Sequence, residues 1–334
     1  MLRVRDLTVA FETDGGDWFH AVDGVSFDLH SGETFGLVGE SGCGKSLTAL
    51  SIPRLVDEPP ARTSDGSSVQ YRGEELVGAS NRRLRSVRGV EIGFVFQEPM
   101  TSLNPVHRVG AQVAEAITAH QKIGRAEARR RTIELLTRVE FEDPERVARA
   151  YPHELSGGMR QRALIAMAVA CDPSVLIADE PTTALDVTIQ AQILELLRSL
   201  QEETGLALLL ISHDLAVVAQ ASHRVGVMYA GQIVEEGPTT RVFGSPQHPY
   251  TEGLLRAVPS LAAPDRGLTV IPGRVPPPSA WPTGCRFHPR CPYAWSRCES
   301  EEPPLSRDGS SSARCWLVQE PERRARGGYD EVSR

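Results

Sequence analysis

Eight residues near position 40 have the types and the spacing needed to bind a phosphate group. Residues 39–46 read Gly-Glu-Ser-Gly-Cys-Gly-Lys-Ser and follow a short apolar run. Glycines let the backbone curl so that successive N–H groups point inward at an anion, and a following helix adds positive potential. Lys45 can then reach the terminal phosphates of a nucleotide, and the Ser46 hydroxyl can ligate Mg²⁺. The residues expected to contact the nucleotide here are Gly39, Ser41, Gly42, Cys43, Gly44, Lys45, Ser46 and Leu47.

The lysine of this segment is one of only two in the chain. The sequence has 34 arginines, and its lysines are Lys45 and Lys122. A glycine turn followed by an ordinary surface lysine is the alternative interpretation, but chance rarely places one of two lysines at the required position. The pattern therefore predicts a phosphate-binding loop between a strand and a helix.

Two carboxylates end a second apolar segment, at residues 175–178. Asp179 and Glu180 follow it directly, which predicts a position at the carboxyl edge of a strand, beside the phosphate loop in this type of fold. Asp179 would hold the Mg²⁺ shell, and Glu180 would polarise an attacking water. Alone, such a pair could equally cap a helix. Together with the phosphate loop, it favours hydrolysis of a nucleotide.

Ser156, Gly157 and Gly158 precede a helical segment that starts near Met159. Ser156 has the position of an N-cap, and the two glycines leave backbone N–H groups open to an anion. An isolated Ser-Gly-Gly indicates no more than a capped helix. In this chain, however, the segment 155–161 resembles the signature sequence of the ATP-binding cassette (ABC) ATPases.

Further motifs occur in the order typical of that family. Gln97 resembles the family's glutamine loop, Asp186 lies in its loop after the catalytic strand, and His213 resembles its switch histidine. The aromatic residue that stacks on adenine in the family is matched by Phe11, with Trp18 and Phe19 as alternatives.

The resemblance covers approximately residues 1–240 and carries expectations about fold, activity and assembly. It implies an α/β fold: a P-loop NTPase core of the ABC ATPase type, a mixed sheet with flanking helices, with an inserted helical subdomain. It implies ATP and Mg²⁺ as cofactors. Two such units would face head to tail, each nucleotide lying between one phosphate loop and the other unit's signature. The implied catalytic residues are Glu180, His213 and Lys45, and the implied Mg²⁺ ligands are Ser46, Gln97 and Asp179.

The spacing of apolar residues predicts the elements that must position these motifs. Alternation predicts strands, and a period near 3.6 residues predicts helices. Strands are predicted at residues 2–9, 25–29, 35–38, 175–178 and 207–211. Helices are predicted at 109–120, 126–139, 159–170 and 189–203. The downstream alternation of strand and helix implies a parallel α/β sheet, into which the helices between 99 and 155 are inserted.

A composition break near Pro246 separates a proline-rich tail from the rest of the chain. Prolines preclude long regular elements, so the tail is predicted to be a small, separately stabilised Cys/Pro-rich C-terminal extension. The predicted domains are a nucleotide-binding core at 1–96 and 160–240, a helical subdomain at 97–159 and the extension at 241–334.

Within this tail, residues 247–255 look like the C-terminal extension of ATPase subunits from oligopeptide, dipeptide and nickel importers. Residues 96–105 and 151–155 match that branch as well. The resemblance implies a complex with two membrane permeases, a second ATPase that is usually a paralogue, and an external substrate-binding protein. The chain would be peripheral, on the cytoplasmic face of the membrane. Peptides, nickel chelates and other small polar solutes remain open as substrates.

The charge and composition of the chain help to distinguish between the alternative functions. The net charge of −7, from 36 basic and 43 acidic side chains, disfavours nucleic acid as a partner. No apolar run approaches the ~18 residues of a membrane-spanning helix, and no secretory signal is evident. The alternative is a soluble ABC ATPase acting on DNA or ribosomes, or in iron–sulfur assembly. A long coiled-coil insertion, tandem cassettes or a basic surface would favour the first of these, and the cysteine-rich tail leaves the last open.

Four cysteines fall in the tail with the spacing Cys-x5-Cys-x6-Cys-x16-Cys. In a reducing compartment such a group indicates metal before disulfides. Structural zinc is one alternative, although zinc sites usually contain tight Cys-x2–4-Cys pairs. Members of the peptide-importer branch carry a [4Fe–4S] cluster in this extension, so the resemblance favours that cluster, with no part in phosphoryl chemistry. Its expected ligands are Cys285, Cys291, Cys298 and Cys315.

Overall fold

The computed structural model describes residues 1–13, 15–98, 102–258 and 270–329. Its strands there are β1 (Leu2–Glu12), β2 (Trp18–Leu29), β3 (Thr34–Val38), β4 (Ala61–Thr63), β5 (Ser68–Tyr71), β6 (Glu74–Glu75), β7 (Ile92–Val95), β8 (Val175–Asp179), β9 (Ala207–Ser212), β10 (Arg224–Tyr229), β11 (Gln232–Pro238), β12 (Leu305–Asp308) and β13 (Ser311–Arg314).

The helices in the same ranges are α1 (Lys45–Ser51), α2 (Asn81–Val87), α3 (Val109–Thr118), α4 (Arg125–Arg138), α5 (Pro144–Arg149), α6 (Gly157–Ala168), α7 (Val187–Thr204), α8 (Leu215–Ala221), α9 (Thr239–Gly244), α10 (Pro249–Ala257) and α11 (Ser296–Ser300). Short 3₁₀ turns lie at Pro152–Glu154, Pro278–Ala280, His288–Arg290, Trp316–Val318 and Pro321–Arg326. The four predicted helices are confirmed, each to within two residues at either end.

The first of two compact units comprises residues 1–2, 29–33 and 78–211. Strands β7, β8 and β9 are parallel, with Ile92 opposite Val175 and Val175 opposite Ala207. Every residue of β8 and β9 is buried, as expected for strands covered on both faces. Helices α3, α4 and α5 pack on one another through residues such as Val113, Ile117 and Leu136.

Helix α7 illustrates how the sequence sets these elements. The Asp186 side chain accepts a hydrogen bond from the Ile189 N–H at its start, and Gly205 ends it in the left-handed conformation. Its buried residues recur at the spacing of one helical face. They are Ile193, Leu196, Leu197, Leu200 and Gln201.

The second unit comprises residues 3–28, 34–77 and 212–334. One sheet has the order β2-β1-β5-β6, with β4 paired to β1. Elsewhere β3 pairs in parallel with β10, β10 pairs antiparallel with β11, and β11 continues to β13 and β12. The predicted core, helical subdomain and extension are a different partition of the chain, and that partition stays a prediction.

The prediction that the tail is separately stabilised was wrong. Strand β13 of the tail pairs with β11, Glu235 opposite Ala313. Tyr250 and Phe287 lie in the same buried cluster as Val38 and Tyr229. The tail therefore needs no core of its own, because it completes the core of this unit. No helix in the described part of the chain is long and apolar enough to cross a membrane.

Candidate functional site

The phosphate loop lies between the end of β3 at Val38 and the start of α1 at Lys45. Two of its glycines have no room for a side chain. A Cβ on Gly39 would stand 2.2 Å from the Met228 carbonyl oxygen, and Gly44 has a φ of 107° with the Ala21 oxygen 3.0 Å from a Cβ. The loop can therefore pack closely on the strand beneath it only with glycine at these positions.

Lys45 is only 5% exposed, and its ammonium group is held by the loop itself. Its Nζ donates to the carbonyl oxygens of Gly39 at 2.8 Å and Glu40 at 3.1 Å. Of the other predicted contacts, Ser41 and Gly42 are exposed, Ser46 and Leu47 are half-buried and Cys43 is buried. Burial raises the pKa of the Cys43 thiol, which keeps it neutral in the loop.

Glu40 is the residue of this loop that the sequence did not single out. Its backbone N–H donates to the Tyr250 hydroxyl at 2.8 Å. Its carboxylate accepts two hydrogen bonds from the Arg290 guanidinium, at 2.6 and 2.9 Å. No local pattern signals either contact, because the partners lie more than 200 positions away.

The aromatic candidates for adenine stacking lie on β1 and β2 in the second unit. Phe11 and Phe19 are stacked, with ring centroids 6.1 Å apart and planes inclined by 23°. Trp18 is 47% exposed. His213, also in this unit, is exposed directly after β9, and the next residue, Asp214, caps α8 by accepting from the Ala216 N–H at 2.8 Å.

In the first unit, Glu180 and Gln97 are brought together from positions 83 apart. The Gln97 Nε2 donates to the Glu180 Oε2 at 3.1 Å, and the Thr183 hydroxyl donates to the same oxygen at 2.8 Å. Asp179 and Glu180 are both buried. Glu180 adopts a φ of 49°, rare for a residue with a side chain, and a strained backbone of this kind is typical of functional sites.

The signature segment packs on the start of α7. Ser156 is the N-cap of α6, as predicted, and accepts from the Met159 N–H at 3.3 Å. Gly158 lies so close to α7 that a Cβ would stand 2.5 Å from the Ile189 Cγ2, and a Cβ on the exposed Gly157 would stand 3.2 Å from the Leu185 Cδ2. Asp186, the other predicted residue here, caps α7.

The four cysteines of the tail line one cavity in the second unit. The cavity, at about 10 Å³, has room for about one water. Among the described residues, no three His, Cys, Asp or Glu side chains have an arrangement that could hold a metal ion. The thiols thus converge without forming a ligand set of metal-binding geometry. They are the free thiols of Cys285, Cys291, Cys298 and Cys315.

Burial raises the pKa of all four thiols, to about 11 for Cys285 and about 12 for Cys315. The neighbouring thiols raise the pKa of Cys291 further, because thiolates repel one another. Backbone amides act the other way, since a hydrogen bond to sulfur favours the thiolate. These amides include those of Phe287 and His288 at Cys285, Tyr293 at Cys291 and Leu317 at Cys315.

His248 contributes an unsatisfied donor to the same cavity wall. It is 1% exposed, and its Nδ1 accepts from the Tyr250 N–H at 3.0 Å. The neutral ring then carries its proton on Nε2, and this atom has no hydrogen-bond partner among the described residues. A buried donor without a partner is costly and indicates an acceptor still to be supplied.

Two family models match the chain. The ABC transporter model covers residues 22–183, and the model of the oligopeptide/dipeptide transporter C-terminal region covers residues 234–298. The chain is 52% identical over 315 residues to a "putative peptide import ATP-binding protein" of Brucella abortus, covering 94% of each. It is 49% identical over 306 residues to the dipeptide transport ATP-binding protein DppD of Escherichia coli, covering 92% of this chain and 93% of the relative.

Solved structures give the same picture of the fold. A bacterial ABC transporter cassette in its dimeric structure matches with a TM-score of 0.64 and 29% identity, over 72% of this chain and 99% of the cassette. A dimeric post-hydrolysis state of the same cassette, bound to ADP and Pi, matches equally well.

Proposed function

This chain belongs to the ABC transporter family and is an ABC-type ATPase, and from that membership we propose that it hydrolyses ATP to power the import of peptides or related small solutes. The observation that carries the proposal is the match of residues 234–298 to the oligopeptide/dipeptide transporter C-terminal region. A soluble ABC ATPase without a transport function would not be expected to carry such an extension. The relatives named for peptide and dipeptide transport support the same choice.

The roles of the site residues follow from chemistry and family membership. Lys45 and the amides of the phosphate loop would hold the phosphates, and Ser46, Gln97 and Asp179 would provide ligands for Mg²⁺. Glu180 would polarise the attacking water. Its support is the pair of donors, Gln97 and Thr183, that fix one carboxylate oxygen.

The remaining candidate residues would bind adenine, respond to the terminal phosphate and act across the ATPase dimer. Phe11, or Phe19 beside it, would stack on adenine, and His213 would respond to the terminal phosphate. Ser156, Gly157 and Gly158 would act on a nucleotide held by the other ATPase subunit. Asp186 would signal across that dimer.

The proposed assembly comprises this chain, a second ATPase that is a paralogue or another copy, two permeases and an external binding protein, at the cytoplasmic face of the membrane. Two exposed apolar side chains flank the glutamine loop, Phe96 at 44% and Val106 at 73% exposure. A permease's cytoplasmic helices docked there would cover both side chains.

We further propose that the four cysteines bind a [4Fe–4S] cluster, with zinc as the alternative. Four thiols lining one cavity are the type of ligand that such a group takes, and the backbone amides directed at their sulfurs favour thiolates. A bound cluster would supply iron as the partner of the four thiolates, and the unpartnered His248 Nε2–H in the cavity wall would offer the site a hydrogen-bond donor.

Metal content tests this part of the proposal. Anaerobically purified protein should be brown and carry about four irons per chain, as four-thiolate ligation of such a cluster requires. Cys298→Ser should lose the iron, whereas Cys171→Ser, outside the cavity, should keep it. A colourless anaerobic sample with one zinc per chain would establish zinc instead.

Transport tests the main proposal. The complex captured through a tag on this chain should contain two permeases and should take up labelled peptides into proteoliposomes only when ATP is supplied. Glu180→Gln in this chain should abolish uptake. ATP turnover that depends on DNA or ribosomes, with no permease in the captured complex, would contradict the proposal.

A further inference from the structure

The phosphate loop contacts the segment that carries the four tail cysteines, residues 285–315, which we call the cysteine segment. The contact is made by one residue of the loop, Glu40. Each hydrogen-bonding group of Glu40 has a partner with a different position in the chain. Its N–H donates to Tyr250, its carbonyl oxygen accepts from Lys45, and its carboxylate accepts from Arg290. Two of these partners come from the C-terminal extension, and the third is the lysine expected to contact phosphates.

The Arg290 side chain is buried and held by hydrogen bonds. It is 6% exposed, and its Nε donates to the Pro272 carbonyl oxygen at 2.7 Å. Its two terminal nitrogens form a fork on the Glu40 carboxylate. A bidentate, charge-assisted pair of this kind fixes geometry as well as adding attraction.

The pair also has an electrostatic role in the loop. A carboxylate in the second position of a phosphate loop repels the triphosphate that the loop is expected to bind. The Arg290 guanidinium neutralises that carboxylate. Without Arg290, the Glu40 charge would be left unpaired in the loop, and Glu40, whose carbonyl oxygen holds Lys45, would keep only the Tyr250 contact to the extension.

Arg290 is tied to the cysteine cavity through the chain itself. It ends the 3₁₀ turn His288–Arg290 and directly precedes Cys291, whose N–H donates to the His288 carbonyl oxygen. Phe287, His288 and Cys291 all line the cavity. Any change that displaces these residues must displace Arg290 as well.

We propose that Arg290 is a positioning residue for nucleotide binding. Because Arg290 belongs to the cysteine segment, the phosphate loop binds nucleotide tightly only when that segment is ordered. The expectation that a cluster has no part in phosphoryl chemistry therefore does not extend to Arg290, a residue of the same segment. The inference rests on nucleotide binding by the loop and does not depend on which solute is transported.

The experiment is a double-mutant cycle on the full chain, read out by equilibrium binding of a fluorescent ATP analogue. Arg290→Ala should weaken binding about tenfold, as expected for loss of one partner of a close charge pair. In the Glu40→Gln background, Arg290→Ala should lower the affinity for the analogue by less than about twofold, because position 40 then carries no carboxylate that could be left unpaired.

A matched control is Arg297→Ala. Arg297 also directly precedes a cysteine, but it pairs with Glu301 and Glu320 of the extension. Its variant should bind nucleotide within about twofold of wild type. Should thermal unfolding show that Arg290→Ala does not fold, Arg290→Lys takes its place, with an expected loss of about threefold because the fork is lost and the charge kept.

Equal losses in the wild-type and Glu40→Gln backgrounds would overturn the proposal, because Arg290 would then act only on general stability. Wild-type affinity in a folded Arg290→Ala would overturn it too. A wild-type chain that binds no nucleotide would instead contradict the ATPase assignment itself.

Discussion

At the scale of single residues, the Glu180 carboxylate is oriented by Gln97 and Thr183, which both donate to one of its oxygens. The other oxygen is the one expected to polarise water. Glu180→Gln keeps the shape but lacks a carboxylate, so we expect turnover to fall by at least about a hundredfold with ATP binding largely intact.

Lys45→Ala provides the contrast, because it should weaken nucleotide binding itself. Parallel measurements of steady-state turnover and of nucleotide affinity separate the two effects. Wild-type turnover in Glu180→Gln would remove Glu180 from its assigned role.

A second carboxylate, Glu235, predicts a pH dependence of stability. It is fully buried on β11 and accepts the N–H groups of Gln247 at 2.8 Å and His248 at 3.0 Å. Burial raises its pKa above the ordinary 4.5, although the two amides act against this. The folded state therefore holds the Glu235 proton more tightly than the unfolded state does.

The contribution of Glu235 to stability is consequently complete below pH 4.5 and is lost as the pH rises through its folded-state pKa. We expect the free energy of unfolding of wild type, relative to Glu235→Gln, to fall with rising pH by at most about 1.4 kcal/mol per unit. Urea unfolding of both proteins between pH 4.5 and pH 8 tests this. A difference that stays constant with pH would show that Glu235 does not titrate differently on folding.

The residues that sequence could identify are those whose role is local or set by motif order. Ser156 was predicted as an N-cap because capping involves residues three positions apart, and the structure confirms it. Arg290 was missed because its partner lies 250 positions away, and no local spacing encodes such a contact. Tyr250 was noticed only as part of a family motif, without its contact to Glu40.

At the scale of elements, the packing of α6 on α7 depends on the absence of a side chain at Gly158. A Cβ there would stand 2.5 Å from the Ile189 Cγ2. We expect Gly158→Ala to lower the free energy of unfolding by about 1–3 kcal/mol, the usual cost of overpacking. Chemical denaturation measures it.

Gly244→Ala is the matched control for that change. Gly244 also lies in a helix, α9, but no atom lies within 4 Å of a Cβ there. Alanine should change stability at that position by less than about 1 kcal/mol, toward greater stability. An equal loss in both variants would mean that the close approach at Gly158 does not decide the result.

The same contrast explains which elements could be predicted. The long helices α3, α4, α6 and α7 were each predicted. Helices α3, α4 and α7 carry several turns of apolar periodicity, whereas α6 is a continuous apolar run buried on most sides. Strands β4 and β6, of three and two residues, are too short to show alternation. Strands β12 and β13 lie in the proline-rich tail. Strand β13 forms because β11 offers it a partner, and β12 then pairs with β13.

At the scale of the whole molecule, the signature residues are expected to serve a nucleotide held by another subunit. The ATPase rate per chain should therefore rise with protein concentration and with addition of the permeases and the second ATPase. Kinetics across a dilution series, alongside measurement of oligomeric state, test this. Full activity from a strictly monomeric preparation would contradict it.

The pairing of β11 with β13 has a consequence for biosynthesis. Glu236 on β11 lies opposite Ser312, so the edge of β11 stays bare until more than 70 further residues have left the ribosome. An unpaired strand edge is a template for aggregation. A gene shortened to end at codon 240 would keep every residue proposed to contact ATP, yet its product should accumulate in inclusion bodies, whereas one extended through Tyr329 should stay in solution.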